Sequence, residues 1–282
     1  EIVSRDWSSD VCSSDLNECL ASRIRRPKQK QMTTGALIFA YNNEAIDYEA
    51  MARWSAGNIE RHLGIPTTII TGTPKGNNRR HFTDVGTVTW HNLNRMDAYT
   101  LSPYDQTLVL DADYVVASDQ LKVILDSQED FLCHRWAYDV TGENDFSGLN
   151  YFGQHRMPQW WATVMMFRRS KQAELIFGMM QMVRDNWRHY RDLYGNTVET
   201  YRNDHALSIA LNTVNGHQQC IPNIPWNLAS LVPEHTLEQL NQDEYQIKFT
   251  NSENKLRRIT VKNFDFHAMG KKHLGAIVAS NS

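Results

Sequence analysis

Short apolar runs alternate with longer, periodically apolar segments along most of this chain. Residues 36–41 form an apolar block between Gly35 and Asn42-Asn43, the pattern of a buried parallel strand that delivers a polar loop at its C-terminal end. Apolar side chains then recur at Met51, Trp54, Ile59 and Leu63, which predicts a helix over 46–63 stopped by Gly64 and Pro66. Residues 66–72 and 85–90 read as further strands, 94–101 as a short helix, and 107–110 as a strand reached through the Ser102-Pro103 turn. After Tyr114-Val115-Val116, Ser118 is expected to cap a helix over 119–126, and 131–133 forms another strand. This β-α-β alternation predicts an α/β fold with a mostly parallel, Rossmann-like central sheet flanked by helices.

Residues 139–160 are rich in Gly, Asn and aromatics, and a loop of that length is either a binding loop or lid, or poorly ordered. Residues 170–193 carry Ala173, Ile176, Met180, Val183, Trp187 and Tyr190 at spacings of three and four, a core-facing helix that Gly195 terminates. A helix is expected over 203–211, and short strands over 245–249 and 258–261. No internal repeat or linker-like composition follows residue 32, so 32–282 is expected to be a single domain.

Hydrophobic residues make up 41% of the 282 and charged residues 22%, the balance of a soluble globular protein. No apolar run reaches the roughly 18 residues of a spanning helix. A net charge of -3 gives no general attraction to nucleic acid or anionic lipid. Cys12, Cys19, Cys133 and Cys220 have no C-x-x-C spacing, which argues against a zinc site or disulfide framework and for a reducing, cytoplasmic setting.

Residues 1–16 carry the repeated pattern WSSDV/CSSDL without helix or strand periodicity, and 10–16 resembles a translated sequencing adapter of the kind found in metagenomic assemblies. A disordered polar tail is the alternative. The basic segment Arg23, Arg25, Arg26, Lys28, Lys30 precedes Met32, which reads as the native start, so 1–31 is expected to be a non-native or disordered leader without functional weight.

The chemistry concentrates at 107–116, where Asp111 and Asp113 interrupt an apolar strand at the end where open α/β sheets bind ligands. Two unpaired carboxylates there repel one another. A divalent ion such as Mg²⁺ or Mn²⁺ is a natural compensation, and a solvated turn is the alternative. The loop 71–80 lacks the phosphate-loop spacing and reads as a surface turn.

With this D-x-D, the chain resembles the nucleotide-sugar glycosyltransferases of the GT-A fold, particularly the family 8-like group and related uncharacterised phage and bacterial proteins. The likeness covers nearly all of 35–273. It implies a metal-dependent hexosyltransferase-like enzyme that moves a sugar from a nucleoside-diphosphate-sugar, UDP-sugar foremost, to the hydroxyl of a glycan or other acceptor. On the resemblance, Ala40, Tyr41, Asn42 and Asn43 receive the nucleotide, with Tyr41 stacked on the base. Asp111, Asp113 and His267 hold Mn²⁺ or Mg²⁺, and Arg95, Gly270 and Lys271 or Lys272 serve the diphosphate. Residues 160–167 contribute to the sugar and acceptor site, and Asp204 orients the sugar or acceptor hydroxyl. Singly, Arg95 reads rather as a surface ion pair with Asp97 and Asp204 as a helix cap with Asn203, whereas for His267 the neighbouring Gly270 and Lys271-Lys272 favour the phosphate site over a core histidine, because glycine lets backbone approach a phosphate and lysine offsets its charge.

Two positions depart from the family. Trp161-Ala162-Thr163 stands where members commonly have Asn-Ser/Ala-Gly, and His273 stands where lysine usually follows the glycine by three. The first keeps open a non-catalytic nucleotide- or glycan-binding protein. A haloacid-dehalogenase-type phosphatase is the enzymatic alternative, because Asp111-x-Asp113-x-Val115 also fits its nucleophile motif. That motif normally lies on the first strand with a late acidic pair, and the chain has neither arrangement.

Overall fold

The computed structural model describes residues 32–72, 94–218 and 221–281, so the expected strand at 85–90, most of the turn at 71–80 and the segment 1–31 lie outside the described residues. The chain divides into two units, Glu1–Met32 and Thr33–Ser282, and the second holds every element described below.

Its first half comprises strand β1 (Thr34–Phe39), helix α1 (Tyr48–Leu63), β2 (Thr67–Ile70), a 3-10 turn at Arg95–Asp97 running into α2 (Ala98–Leu101), β3 (Gln106–Leu110), β4 (Tyr114–Val115), α3 (Lys122–Leu125) and β5 (Phe131–His134). Then come β6 (Ala137–Asp139), β7 (Tyr151–Phe152), β8 (Met157–Pro158), β9 (Trp161–Arg168), α4 (Lys171–Asp185), α5 (Trp187–Leu193) and α6 (Asn203–Val214). The C-terminal part adds β10 (Leu228–Leu231), β11 (Thr236–Asn241), β12 (Glu244–Thr250), β13 (Leu256–Lys262), β14 (Phe266–Ala268) and α7 (Lys271–Ser280).

The fold is mixed α/β, a central sheet in the order β2-β1-β3-β9-β5 with helices on both faces. Strands β2, β1 and β3 pair in parallel, whereas β9 runs antiparallel to both β3 and β5, so four of the five strands share one direction. Alternation along the strands sorts the two cores. Ala36, Ile38, Leu108 and Leu110 meet Met51 and Ile59 of α1 and Ile277 of α7, while Leu37, Phe39, Val109 and Phe167 meet Ile176 and Met180 of α4. Burial of each of these side chains larger than alanine contributes roughly 1.5–3 kcal/mol. Gly35 is fixed by close approach, since a Cβ there would sit 2.3 Å from the Tyr104 ring.

Several elements differ from their sequence expectation for identifiable reasons. β1 ends two residues early, leaving Ala40 and Tyr41 as a buried extension beyond the strand. α1 starts at Tyr48 because the Asp47 carboxylate caps it, accepting from the Ala50 amide at 2.9 Å. The single helix expected over 170–193 is broken at Asn186 (φ -123°, ψ 35°), whose side-chain amide donates to the Met182 carbonyl and competes with the helical ladder. β9 was not expected at all, and its first seven residues are buried. The expected loop at 139–160 contains a short hairpin, β7 with β8.

A second, smaller sheet positions the chemistry. Its order is β4-β14-β10-β6, with β14 antiparallel to β4 and parallel to β10. The Ala268 amide donates to the Asp113 carbonyl at 2.9 Å, which ties the strand of His267 to the acidic turn.

Candidate active site

Beyond β3 the chain turns through Asp111-Ala112-Asp113 into β4, and the Asp111 amide is held by the Thr163 carbonyl of β9 at 3.0 Å. The turn opens onto a cavity of about 500 Å³ lined by residues from β1 to the start of α7. Asp111, Asp113 and His267 converge there, with one ligand atom from each lying within 4.8 Å of the others.

Each carboxylate has a cationic neighbour. Arg95, buried against the ring of Phe39, donates to Asp111 Oδ1. Lys271 Nζ lies 2.7 Å from Asp113 Oδ2, and His267 Nε2 lies 3.5 Å from the same oxygen. Burial alone would raise the Asp113 carboxyl, but the charge and hydrogen bonding of His267 and Lys271 outweigh it and hold the group well below the usual carboxylate range. Burial pulls Arg95 down to about 10 against the attraction of Asp204 and Asp113, so it keeps its charge near neutral pH. The premise of two unpaired, repelling carboxylates is therefore corrected. Arg95 pairs with Asp111 rather than with Asp97.

The other residues named from sequence divide into two groups. Tyr41, Arg95, Lys271 and Asp204 line the same cavity as the acidic pair. Asp204 does not cap α6, whose cap residue is Arg202; its Oδ1 accepts from the Ala162 amide at 2.8 Å and its Oδ2 lies 3.7 Å from Arg202 Nη2. Ala40, Asn42, Asn43, Gly270 and Lys272 are not among the lining residues. Ala40 is buried in the core. The Asn42 side-chain oxygen accepts from the Glu49 amide, and that of Asn43 from the Ala45 and Ile46 amides, so both oxygens hold the turn into α1. Gly270 caps α7 and lies against Pro233, and Lys272 is exposed.

Trp161 opens β9 and forms part of the wall, with Phe146 of the preceding loop stacked behind it at 6.5 Å and 19°. Ala162 and Thr163 line the same wall, so the departure from the family pattern lies directly in the cavity. Tyr48, Thr200 and Arg202 also line it and were missed. Tyr48 is the first residue of α1, where no periodicity marks it, and Thr200 and Arg202 lie in the patternless connection between α5 and α6.

Two carboxylates and an imidazole are a donor set suited to a first-row divalent ion or Mg²⁺. Three ligand atoms spread evenly about 2.1 Å from one ion lie about 3.6 Å apart, so the triad, gathered within 4.8 Å, would close by up to about an ångström to hold one. The buried His267 Nδ1 has no protein partner, which leaves Nε2 as the nitrogen facing Asp113.

No protein-family model and no curated protein sequence matches the chain. Among solved structures it is similar to the galactosyltransferase LgtC in complex with donor and acceptor sugar analogs, at 13% identity over 61% of this chain and 69% of that one, TM-score 0.41. It is similar to the glycosyltransferase GlyE of Streptococcus pneumoniae TIGR4, at 13% identity over 68% of this chain but only 45% of that one, TM-score 0.38. Mouse xyloside xylosyltransferase 1 is similar at 9% identity over 68% of this chain and 84% of that one, TM-score 0.40. These TM-scores are too low for the likenesses to bear on mechanism, and the fold rests on the strand order and register given above. Among the described residues no helix is long and apolar enough to cross a membrane.

Proposed function

We propose that the chain is a GT-A-type, family 8-like glycosyltransferase that moves a sugar from a nucleoside-diphosphate-sugar, UDP-sugar foremost, to an acceptor hydroxyl in a reducing, cytoplasmic setting. The observation that carries this reading is the convergence of His267 with Asp111 and Asp113, more than 150 residues away in sequence, on one cavity that also holds Arg95, Lys271 and Asp204. Asp111, Asp113 and His267 would hold Mn²⁺ or Mg²⁺. Such an ion acts as a Lewis acid toward the departing diphosphate, worth several kcal/mol in the transition state.

The chain's own residues supply the rest. Lys271 and Arg95, which neutralise the carboxylates, line the cavity together with Arg202 as cations for the donor phosphates. Tyr41 offers a ring for the base. Asp204, anchored through Ala162, presents its second oxygen beside Arg202 for a sugar or acceptor hydroxyl. Trp161 and its Phe146 backing supply a flat apolar face against which a sugar ring can pack.

A panel of nucleotide-sugars incubated with Mn²⁺ and scored by released nucleoside diphosphate tests the reading. Release from at least one donor, lost in Asp111→Asn and His267→Ala, is expected. Covalent phosphorylation of Asp111 by a phosphate ester would overturn it in favour of a phosphatase. Saturable donor binding without release would leave a binding protein.

A further inference from the structure

In the small sheet, His267 of β14 stands in parallel register with Ser230 of β10, and Ser230 stands in register with Asp139 of β6. Residues in register on neighbouring strands project from the same face, about 4.8 Å apart, so His267, Ser230 and Asp139 form one row across the sheet. Ser230 is fully buried and its hydroxyl has no protein partner. The adjacent His267 Nδ1 is likewise buried and unpartnered. Asp139, on the other side, is already committed: its Oδ2 accepts from the Thr141 hydroxyl at 2.5 Å and the Asn144 side-chain amide at 2.8 Å.

A buried polar group left unpaired costs about 1–3 kcal/mol, and here two such groups with complementary chemistry stand side by side. An imidazole that offers Nε2 as a ligand must carry its proton on Nδ1, and that N–H needs an acceptor. We propose that Ser230 is a positioning residue for His267. Its Oγ takes the hydrogen bond from Nδ1–H through one bridging water, since neither atom has a protein partner, and so fixes the ring angle that aims Nε2 at the cavity shared with Asp111 and Asp113. This rests on the reading that the triad binds a divalent ion. Removal of such an outer partner from a metal-ligating histidine typically costs 10–100-fold in metal affinity.

The test uses the full chain without donor or acceptor. Mn²⁺ affinity is measured by calorimetry for the wild type, Ser230→Ala and Ser230→Thr, and the hydrogen bond at His267 Nδ1 is read in the metal-free proteins from imidazole nitrogen NMR shifts. Ser230→Ala is expected to weaken Mn²⁺ binding 10–100-fold and to move the Nδ1 resonance. Ser230→Thr, which keeps the hydroxyl, is expected to restore the resonance and most of the affinity. Should the threonine variant unfold, the alanine variant's Nδ1 shift decides. Unchanged affinity and an unchanged Nδ1 shift in Ser230→Ala would overturn the proposal while leaving the function standing. A wild type that binds no Mn²⁺ would overturn both, and that result is distinct from the first.

Discussion

Lys271 Nζ lies 2.7 Å from Asp113 Oδ2, and this one contact reverses the electrostatics expected of a bare acidic pair. Relief of repulsion would leave stability unharmed in Asp113→Asn. With Asp113 almost fully buried and its carboxylate paired with the Lys271 ammonium, the substitution instead strands that partly buried charge. The expected cost is about 1–3 kcal/mol, less than for a fully buried pair because Lys271 is a third exposed. Thermal unfolding should fall by several degrees. The double variant Asp113→Asn/Lys271→Met should recover part of the loss, and a melt at or above wild type for the single variant would contradict the pairing.

Asp204 separates structure from chemistry. Its Oδ1 holds the Ala162 amide at 2.8 Å, close to the Trp161 wall. Asp204→Ala leaves that amide unpaired and is expected to cost about 1–3 kcal/mol in a denaturant titration. Asp204→Asn keeps an acceptor oxygen, so its stability should stay within about 1 kcal/mol of wild type while donor turnover drops at least tenfold. Full turnover in the asparagine variant would reduce Asp204 to a structural anchor.

Deleting residues 1–31 is expected to leave the thermal melt unchanged. The compact unit begins at Thr33, whose amide and hydroxyl both bond to Asp105 at 3.0 and 2.9 Å. Loss of several degrees, or insolubility, would assign residues 1–31 a folding role.

How much of this was legible in sequence depends on whether the signal is local. The β1–α1–β2 unit and the strand leading to Asp111 were readable because apolar blocks, Gly64 and the Asp111/Asp113 interruption are local patterns. β9 was not. Its residues read as a segment before a helix, and a long buried apolar run carries no period that distinguishes strand from helix. Helix α7 was missed too, its short stretch carrying Gly275 and two lysines in place of a start signal. The meeting of His267 with Asp113 depends on a four-stranded sheet assembled from distant segments, so only the family resemblance pointed to it. That resemblance also carried along Asn42, Asn43, Gly270 and Lys272, whose side chains or backbone serve turns, a helix cap and solvent.

The acid limb of the stability profile is set in part by His134, at the end of β5. It is fully buried, neither ring nitrogen has a protein partner, and burial pushes it down to about 3. The unfolded chain takes up a proton at this residue as pH falls through about 6.5, while the native state stays neutral, so native stability drops through that window. Between pH 7.5 and 4.5 the loss from this group is about 2–3 kcal/mol. Burial lowers His205 to about 4, which adds a loss of the same sign. Asp265, raised to about 6 by burial, opposes both, since its native state binds the extra proton below pH 6. Replacement of the unpartnered imidazole by an apolar side chain removes one term only. His134→Leu should therefore lose about 2–3 kcal/mol less than wild type between pH 7.5 and 4.5, measured as urea unfolding free energies at each pH. The window stays above the ordinary carboxylate range, so the depressed carboxyl of Asp113 does not contribute. Parallel profiles for the two proteins would mean that His134 is protonated in the native state and has found a partner.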